Sequence, residues 1–510
     1  MTDEDVPAAP PRAYGKLAKR GIVWGGGREG ARFFVLLLTT MIAARLLSPE
    51  ESGIAAAAYF VMQLGGRLTQ FGLGVSLVRA KSITAAHVSS VFVLNLLTGS
   101  LVCALFAVAG PFAGGLLGSD EAASILPVSG LGFLVGAFGS VPTALLSRDM
   151  RYRESTVSDL IAVCVYAVTL VLLAWLGYSY WSIVYSILAS DIVRALCRTW
   201  MSKWVPSLVF SRVAAREVLS FGLGIYAKNL LEYFAQNVDN LIVGRLLGMA
   251  PLGYYDKAFN AVTRLSGMVN LAGPSVSLRA FALMQDDASR FRRAYRKVIL
   301  SVTLVGYPLM AGVAVMAHEL VEVLFGERWK PAALPLQVLC VAAMLRQLST
   351  YASSATQAKG HIWSEVKRQA VSVAVLIPAV AALSPWGIAG AAVGVLISTL
   401  VSTTLLQVLV RNLTGLAWRD MLEPQLPGLA CAGAVAATLM AVRHVLLSWS
   451  LDLPALTVLL VGATIGLFCA AAFLLFAPFL EMRSIVYETA EDLKLAFLLK
   501  RLPARLAPGR

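Results

Sequence analysis

Charged side chains are scarce in this chain: Asp, Glu, Lys and Arg together make up 14% of its 510 residues. Histidine occurs only four times and forms no cluster. The six cysteines (Cys103, Cys164, Cys197, Cys340, Cys431 and Cys469) stand singly in or beside apolar segments. That scatter, with no C-x-x-C spacing, excludes a disulfide framework or a thiolate metal site, and the thiols read as small core residues. No HExxH or GxSxG motif occurs. What is abundant is apolar surface: 58% of the residues are hydrophobic and the mean hydropathy is +0.73. Soluble domains sit nearer half apolar and a quarter charged.

A spanning helix needs about 20 mostly apolar residues. Fourteen segments meet that need: 21–46, 52–78, 86–110, 123–147, 156–176, 179–200, 217–246, 251–280, 295–317, 332–356, 365–384, 387–410, 427–447 and 454–478. The expected fold is therefore an all-α polytopic membrane protein. Connections are short, so no soluble domain is inserted. Residues 1–12 are acidic and Pro-rich and read as a tail, not as a cleaved leader.

A net charge of +14 raises the question of nucleic acid. The placement of the charge answers it. With the N-terminus in the cytoplasm, the inward-facing loops collect 31 Lys and Arg residues, the outward-facing loops 6, and the spans 6. The inward set includes Arg194 and Arg198, at the end of the sixth segment. Such asymmetry is the positive-inside signature, with both termini cytoplasmic. Attraction to anionic membrane lipids is a secondary role, and nucleic acid is excluded as a partner.

An internal repeat organises the spans. "IAARLLSPEESG" (42–53) returns as "IVGRLLGMAPLG" (242–253), pairing Arg45 with Arg245 and Gly53 with Gly253. Six spans separate the copies, an even number, so both copies have the same orientation, as in parallel-repeat transporters. The expected organisation is a cytoplasmic tail (1–20), a six-helix bundle (21–200), a cytoplasmic linker (201–216) and a second six-helix bundle (217–410). Helices 13 and 14 (411–482) follow, then an amphipathic cytoplasmic tail (483–510) suited to lie on the membrane.

Ionisable groups at membrane depth are costly and normally face a cavity or each other. Span 1 carries Arg28, Glu29 and Arg32; span 2 carries a stripe of Tyr59, Gln63, Arg67 and Gln70. Span 7 sets Lys228, Glu232, Gln236 and Asp239 on one face, span 8 has Arg264, and span 10 has Arg346. Six bases (Arg28, Arg32, Arg67, Lys228, Arg264, Arg346) thus meet three acids (Glu29, Glu232, Asp239), a surplus of +3. A water-filled cationic cavity follows, suited to an anionic ligand; the planar guanidinium fork favours phosphate. Two alternatives stay open. Lys228 and Glu232 are either a structural pair or cavity groups, and Asp239 is either a coupling-ion or proton site or the partner of a neighbouring base.

"GGGREG" (25–30) has the G-x-G-x-x-G form of a dinucleotide fingerprint. That fingerprint needs a preceding strand and a βαβ unit. Here it is embedded in an apolar span, so the nucleotide reading fails and the glycines read as a thinned helix presenting Arg28.

The stretch "NVDNLIVGRLLGMAPLGYYDKAFN" (237–260) resembles the seventh-span signature of Wzx-type polysaccharide flippases, and "ALLSRDMRYRE" (144–154) resembles their colanic-acid-exporter branch. The superfamily also holds lipid II flippases and multidrug extruders. The resemblance implies a non-enzymatic carrier in the bacterial inner membrane, working by alternating access. Its cargo would be undecaprenyl-diphosphate-linked oligosaccharide for exopolysaccharide, capsule or O-antigen assembly. It implies no cofactor, coupling to protons, Na+ or membrane potential, and contact with the polysaccharide polymerase and export machinery. In lipid II flippases, arginines on spans 1, 2 and 8 hold the diphosphate; Arg28, Arg67 and Arg264 lie on those spans here, matched by span and not by an aligned motif. A multidrug extruder of organic cations would want an acidic cavity, which the surplus of base opposes. A lipid II flippase is harder to separate. A membrane polymerase would need convergent acids, and the adjacent Asp286 and Asp287 read instead as a solvated loop pair.

Overall fold

The computed structural model describes residues 30–69, 73–79, 83–270, 273–448 and 454–476. Helix covers nearly all of them. In chain order the helices are α1 (30–46), α2 (Pro49–Thr69), α3 (Leu73–Arg79), α4 (Ala85–Ala109), α5 (Gly114–Leu117), α6 (Asp120–Arg148), α7 (Tyr152–Trp175), α8 (Trp181–Ser202), α9 (Arg212–Leu247) and α10 (Met249–Val269). There follow α11 (Gly273–Leu283), α12 (Ala288–Val315), α13 (Ala317–Phe325), α14 (Ala333–Ala358), α15 (Ile362–Leu383), α16 (Gly387–Thr414), α17 (Trp418–Leu422), α18 (Leu426–Ser448) and α19 (Ala455–Phe476). No strand occurs among the described residues. The polar backbone of an apolar segment in lipid must satisfy its N–H and C=O groups within the segment, and helix does so.

Eight helical stretches among the described residues are long and apolar enough to cross a membrane by length and composition. One of them, Trp363–Thr414, holds 52 residues. At about 20 residues per crossing that suffices for two, and a turn at Ser384–Trp386 folds α15 back onto α16. Helices α2, α8, α9 and α10 fall outside this set. Each carries charged residues, which lower its hydropathy.

The chain divides into two compact units, Met1–Asp256 and Lys257–Arg510. In unit 1, α6 packs on α4 and α8, α7 packs on α8, and α2 packs on α6 and α9. Phe92 lies at the centre of one core, edge-on to Phe138 at 5.4 Å and to Trp204 at 5.1 Å, with Leu73, Leu77 and Val141 around it. Trp204 belongs to the expected linker, of which residues 204–211 are without helix. The linker is tied down at its far end too, where Ser211 N donates to Ser90 Oγ at 2.9 Å. In lipid such contacts stabilise through packing, because the surrounding tails are as apolar as leucine.

The two copies of the repeat meet inside unit 1. A Cβ on Gly53 would stand 1.8 Å from the Met249 carbonyl oxygen, and one on Gly253 would stand 1.9 Å from that of Pro49. The first turns of α2 and α10 therefore touch backbone to backbone, reciprocally, at the paired glycines. That contact accounts for the start of α10 grouping with unit 1. The basic loop 148–153 also has structural work: Arg148 Nη1 donates to Leu77 O at 2.8 Å, and Arg151 Nη2 to Met201 O at 2.9 Å. Both oxygens lie in the last turns of helices, where carbonyls lack helical partners and cations are favoured.

In unit 2, α12 packs on α14 and α18, and α16 packs on α14 and α15. Several of its polar groups are paired across helices. Tyr295 Oη donates to Gln407 Oε1 at 2.9 Å and Tyr307 Oη to Gln425 Oε1 at 3.2 Å. Arg296 bridges Asp420 and Glu423, each at 3.2 Å. Asp287 caps α12 by accepting from the backbone N–H groups of Ser289 and Arg290, each at 3.0 Å. Those bonds, Arg290's first, hold its carboxyl below the usual carboxylate range. The acid pair at 286–287 thus begins a helix.

Candidate substrate cavity

Unit 1 contains a cavity of about 590 Å³ walled by α2, α3, α4, α6 and α8. Its size is that of a small-molecule site, for which a few hundred to a thousand Å³ is usual. The α6 wall is thin, because Gly132, Gly136 and Gly139 all border the cavity. A Cβ on Gly136 would meet nothing within 4 Å, so at that point the backbone itself is the surface.

Helix α8 supplies the charge. Asp191, Arg194 and Arg198 border the cavity at spacings of three and four residues, which puts them on one helical face. Arg198 is held from three directions: Nη2 reaches Asp159 Oδ1 at 2.6 Å, Nη1 donates to Thr143 Oγ1 at 2.7 Å, and Nε donates to Ser158 Oγ at 3.2 Å. Arg194 reaches the same Asp159 oxygen at 3.5 Å and Asp191 Oδ1 at 2.5 Å. Two carboxylates and two guanidiniums thus form one connected network, with Arg198 and Asp159 only 14% and 20% exposed. At this depth an unpaired member would be far more costly than the pair.

From the opposite side α2 contributes Tyr59 and Gln63, joined by a hydrogen bond from Gln63 Nε2 to Tyr59 Oη. Asn95 of α4 donates to Ser140 Oγ at 2.8 Å. Of the polar stripe read on span 2, Tyr59 and Gln63 line this cavity, Arg67 is not among its lining residues, and Gln70 lies outside the described residues. The α8 cluster is the part that sequence reasoning missed: Arg194 and Arg198 count as loop charges in the inward set, but α8 continues to Ser202 and ends on Lys203 at φ 55°. A signal was available in the i, i+3, i+7 spacing of Asp191, Arg194 and Arg198 and in Asp159 one span earlier.

The expected site residues are distributed as follows. Arg28 and Glu29 lie outside the described residues, as does the side chain of Lys228, whose backbone belongs to α9. Arg32 and Arg67 are exposed on α1 and α2, and Arg67 follows the cavity-lining Gly66. Glu232 is exposed on α9 and accepts from Gln236 Nε2 at 3.3 Å. Asp239 is buried at 2% exposure and accepts from Tyr255 Oη at 2.6 Å. Arg264 is half-buried on α10. Arg346 borders a smaller cavity of about 180 Å³ in unit 2, with its guanidinium 5.4 Å from the centre of the Phe259 ring, a cation–π arrangement. That cavity lies between α10 and α14 and includes Gln347, 1% exposed, and Asn270.

Residues 42–334, more than half of the chain, match the family described as "Polysaccharide biosynthesis protein". The chain belongs to that family. It is 24% identical over 380 residues to the lipopolysaccharide biosynthesis protein WzxC of Escherichia coli (strain K12), a match covering 74% of this chain and 77% of that one. With the succinoglycan biosynthesis transport protein ExoT of Rhizobium meliloti (strain 1021) it shares 29% identity, over 67% of this chain and 69% of the other. Among solved structures, the lipid II flippase MurJ in an inward closed conformation superposes with a TM-score of 0.71 at 12% identity, covering 92% of this chain and 99% of the other. An inward-facing multidrug-resistance transporter of the MATE family gives a TM-score of 0.60 at 15% identity, covering 76% and 96%. At such identities these two show the shared fold: a polytopic helical transporter architecture.

Proposed function

We propose that the protein is a flippase that moves undecaprenyl-diphosphate-linked oligosaccharide repeat units across the bacterial inner membrane for exopolysaccharide, capsule or O-antigen assembly. The observation that carries this is the cavity of unit 1, lined by charged, amide and hydroxyl side chains on helices of a membrane protein in a polysaccharide biosynthesis family. The names of the relatives support it, since ExoT is a transport protein and WzxC a lipopolysaccharide biosynthesis protein. In this reading the chain crosses the membrane fourteen times with both termini cytoplasmic and works by alternating access. Arg28, Arg32, Arg67, Lys228, Arg264 and Arg346 meet the diphosphate. Glu29, Glu232 and Asp239 carry the coupling ion or pair with those bases, with protons, Na+ or the membrane potential as the driving force. The polymerase and export machinery receive the product.

A sidedness assay tests it. Disrupting the gene leaves lipid-linked repeat units on the cytoplasmic face; units gathering unpolymerised on the periplasmic face would make the protein a polymerase instead. Arg67→Ala and Arg346→Ala abolish polymer export while membrane insertion stays intact, and normal polymer from both would remove the arginines from the cargo path.

A further inference from the structure

Two kinds of polar surface coexist in this chain. Among the groups read at membrane depth on spans 1, 2, 7, 8 and 10, six bases stand against three acids. Around the unit 1 cavity they balance, since Arg194 and Arg198 are matched by Asp159 and Asp191. A phosphate gains most from positive charge in excess of its neighbours' negative charge. Here it would have to displace a carboxylate at 2.5 Å from Arg194 and another at 2.6 Å from Arg198, and it would then lie beside two expelled carboxylates. Electrostatics at this depth disfavours that exchange.

A neutral polyol meets the opposite situation. Each sugar hydroxyl carries one donor and two acceptor sites, whereas a carboxylate only accepts and a guanidinium only donates. Vicinal hydroxyls can therefore bond to the Asp191–Arg194 pair without breaking it, and Tyr59 and Gln63 offer further donors and acceptors across the cavity. The α6 backbone is open at Gly136, whereas a Cβ on Gly132 or Gly139 would meet Leu188 or Ala195 of α8 at 3.4 Å, so Gly136 is the point where the C–H surface of a ring can lie. The volume of about 590 Å³ exceeds what a single phosphate needs and suits one or two sugar rings.

We propose that the unit 1 cavity is a saccharide subsite, in which Asp191 and Arg194 bond to sugar hydroxyls over the bare α6 backbone at Gly136, while the diphosphate is held elsewhere. This rests on the flippase reading, and it places sugar discrimination on the α8 wall.

The test uses the purified full chain in lipid nanodiscs. Free glucose, galactose, glucuronate and their disaccharides are titrated calorimetrically, in parallel with inorganic diphosphate. At least one neutral saccharide binds the wild type. Asp191→Asn weakens that binding at least tenfold and leaves diphosphate binding within twofold. Gly136→Leu fills open space, so it folds with the wild-type melting temperature, yet it abolishes saccharide binding. The proposal is overturned if no saccharide binds the wild type, if both variants bind saccharide as the wild type does, or if Gly136→Leu removes diphosphate binding as well. A sidedness assay that goes against translocation while Gly136→Leu still abolishes saccharide binding leaves the subsite standing and removes only the flippase reading.

Discussion

In unit 1, α8 sets Asp191, Arg194 and Arg198 along the wall of a cavity of about 590 Å³. In unit 2 the helix in the same order of the repeat, α16, carries Ser398, Ser402, Thr403 and Gln407, all buried. Two of these groups take neutral side-chain partners, Gln407 with Tyr295 at 2.9 Å and Thr403 with Ser349 at 2.8 Å, while Ser402 accepts from the Arg368 guanidinium. Neutral pairs of that kind lock neighbouring helices together. Ion pairs at the edge of a void neutralise each other yet keep donors and acceptors facing whatever enters. A duplicated plan has thus been filled in two ways, one closer to scaffold and one closer to site.

Removing single partners tests that contrast. Arg198→Ala is expected to have the largest effect. It strips Asp159 of its closest guanidinium partner and costs about 3 kcal/mol, read from the unfolding midpoint of the detergent-solubilised protein. Gly253→Ala comes next, at about 2 kcal/mol, because its Cβ would lie 1.9 Å from a backbone oxygen that cannot swing away. Gln407→Leu leaves the Tyr295 hydroxyl without its acceptor and costs about 1–2 kcal/mol. Should Gln407→Leu cost more than Arg198→Ala under the same conditions, the division into scaffold and site would be reversed. The smallest effect is that of pH on the start of α12. The Asp287 carboxyl is depressed below its ordinary value, so its capping contribution is complete above the ordinary carboxylate range and fades as pH falls through the lowered value. Hydrogen exchange at the Ser289 and Arg290 amides should rise over that acid window, and Asp287→Asn, which still caps but does not titrate, should flatten the response.

Much of the architecture is legible because lipid leaves few choices. Long apolar runs of fixed length must be helices, and where the expected segments fall on described residues those residues are nearly all helical, although 52–78 and 251–280 are each shared by two helices. The Tyr59 and Gln63 stripe was legible for a related reason: polar residues at helical spacing in an apolar run need a polar place to face. Gly53 and Gly253 were visible only as a coincidence of letters. Their reciprocal backbone contact depends on equivalent helix starts of the two copies meeting in space, which spacing does not encode. The α8 network was misplaced for a different reason. Near the end of an apolar run, arginines read equally well as loop charges or as cavity charges, and hydropathy does not separate the two.

Composition and pattern alone determined that this is an all-helical membrane protein, because burial in lipid constrains length, charge and backbone pairing residue by residue. The tertiary structure alone decided which charges neutralise one another. Asp159 comes to Arg198 from a neighbouring helix, and whether a guanidinium is surplus or already paired depends on distances across helices that no single helix contains.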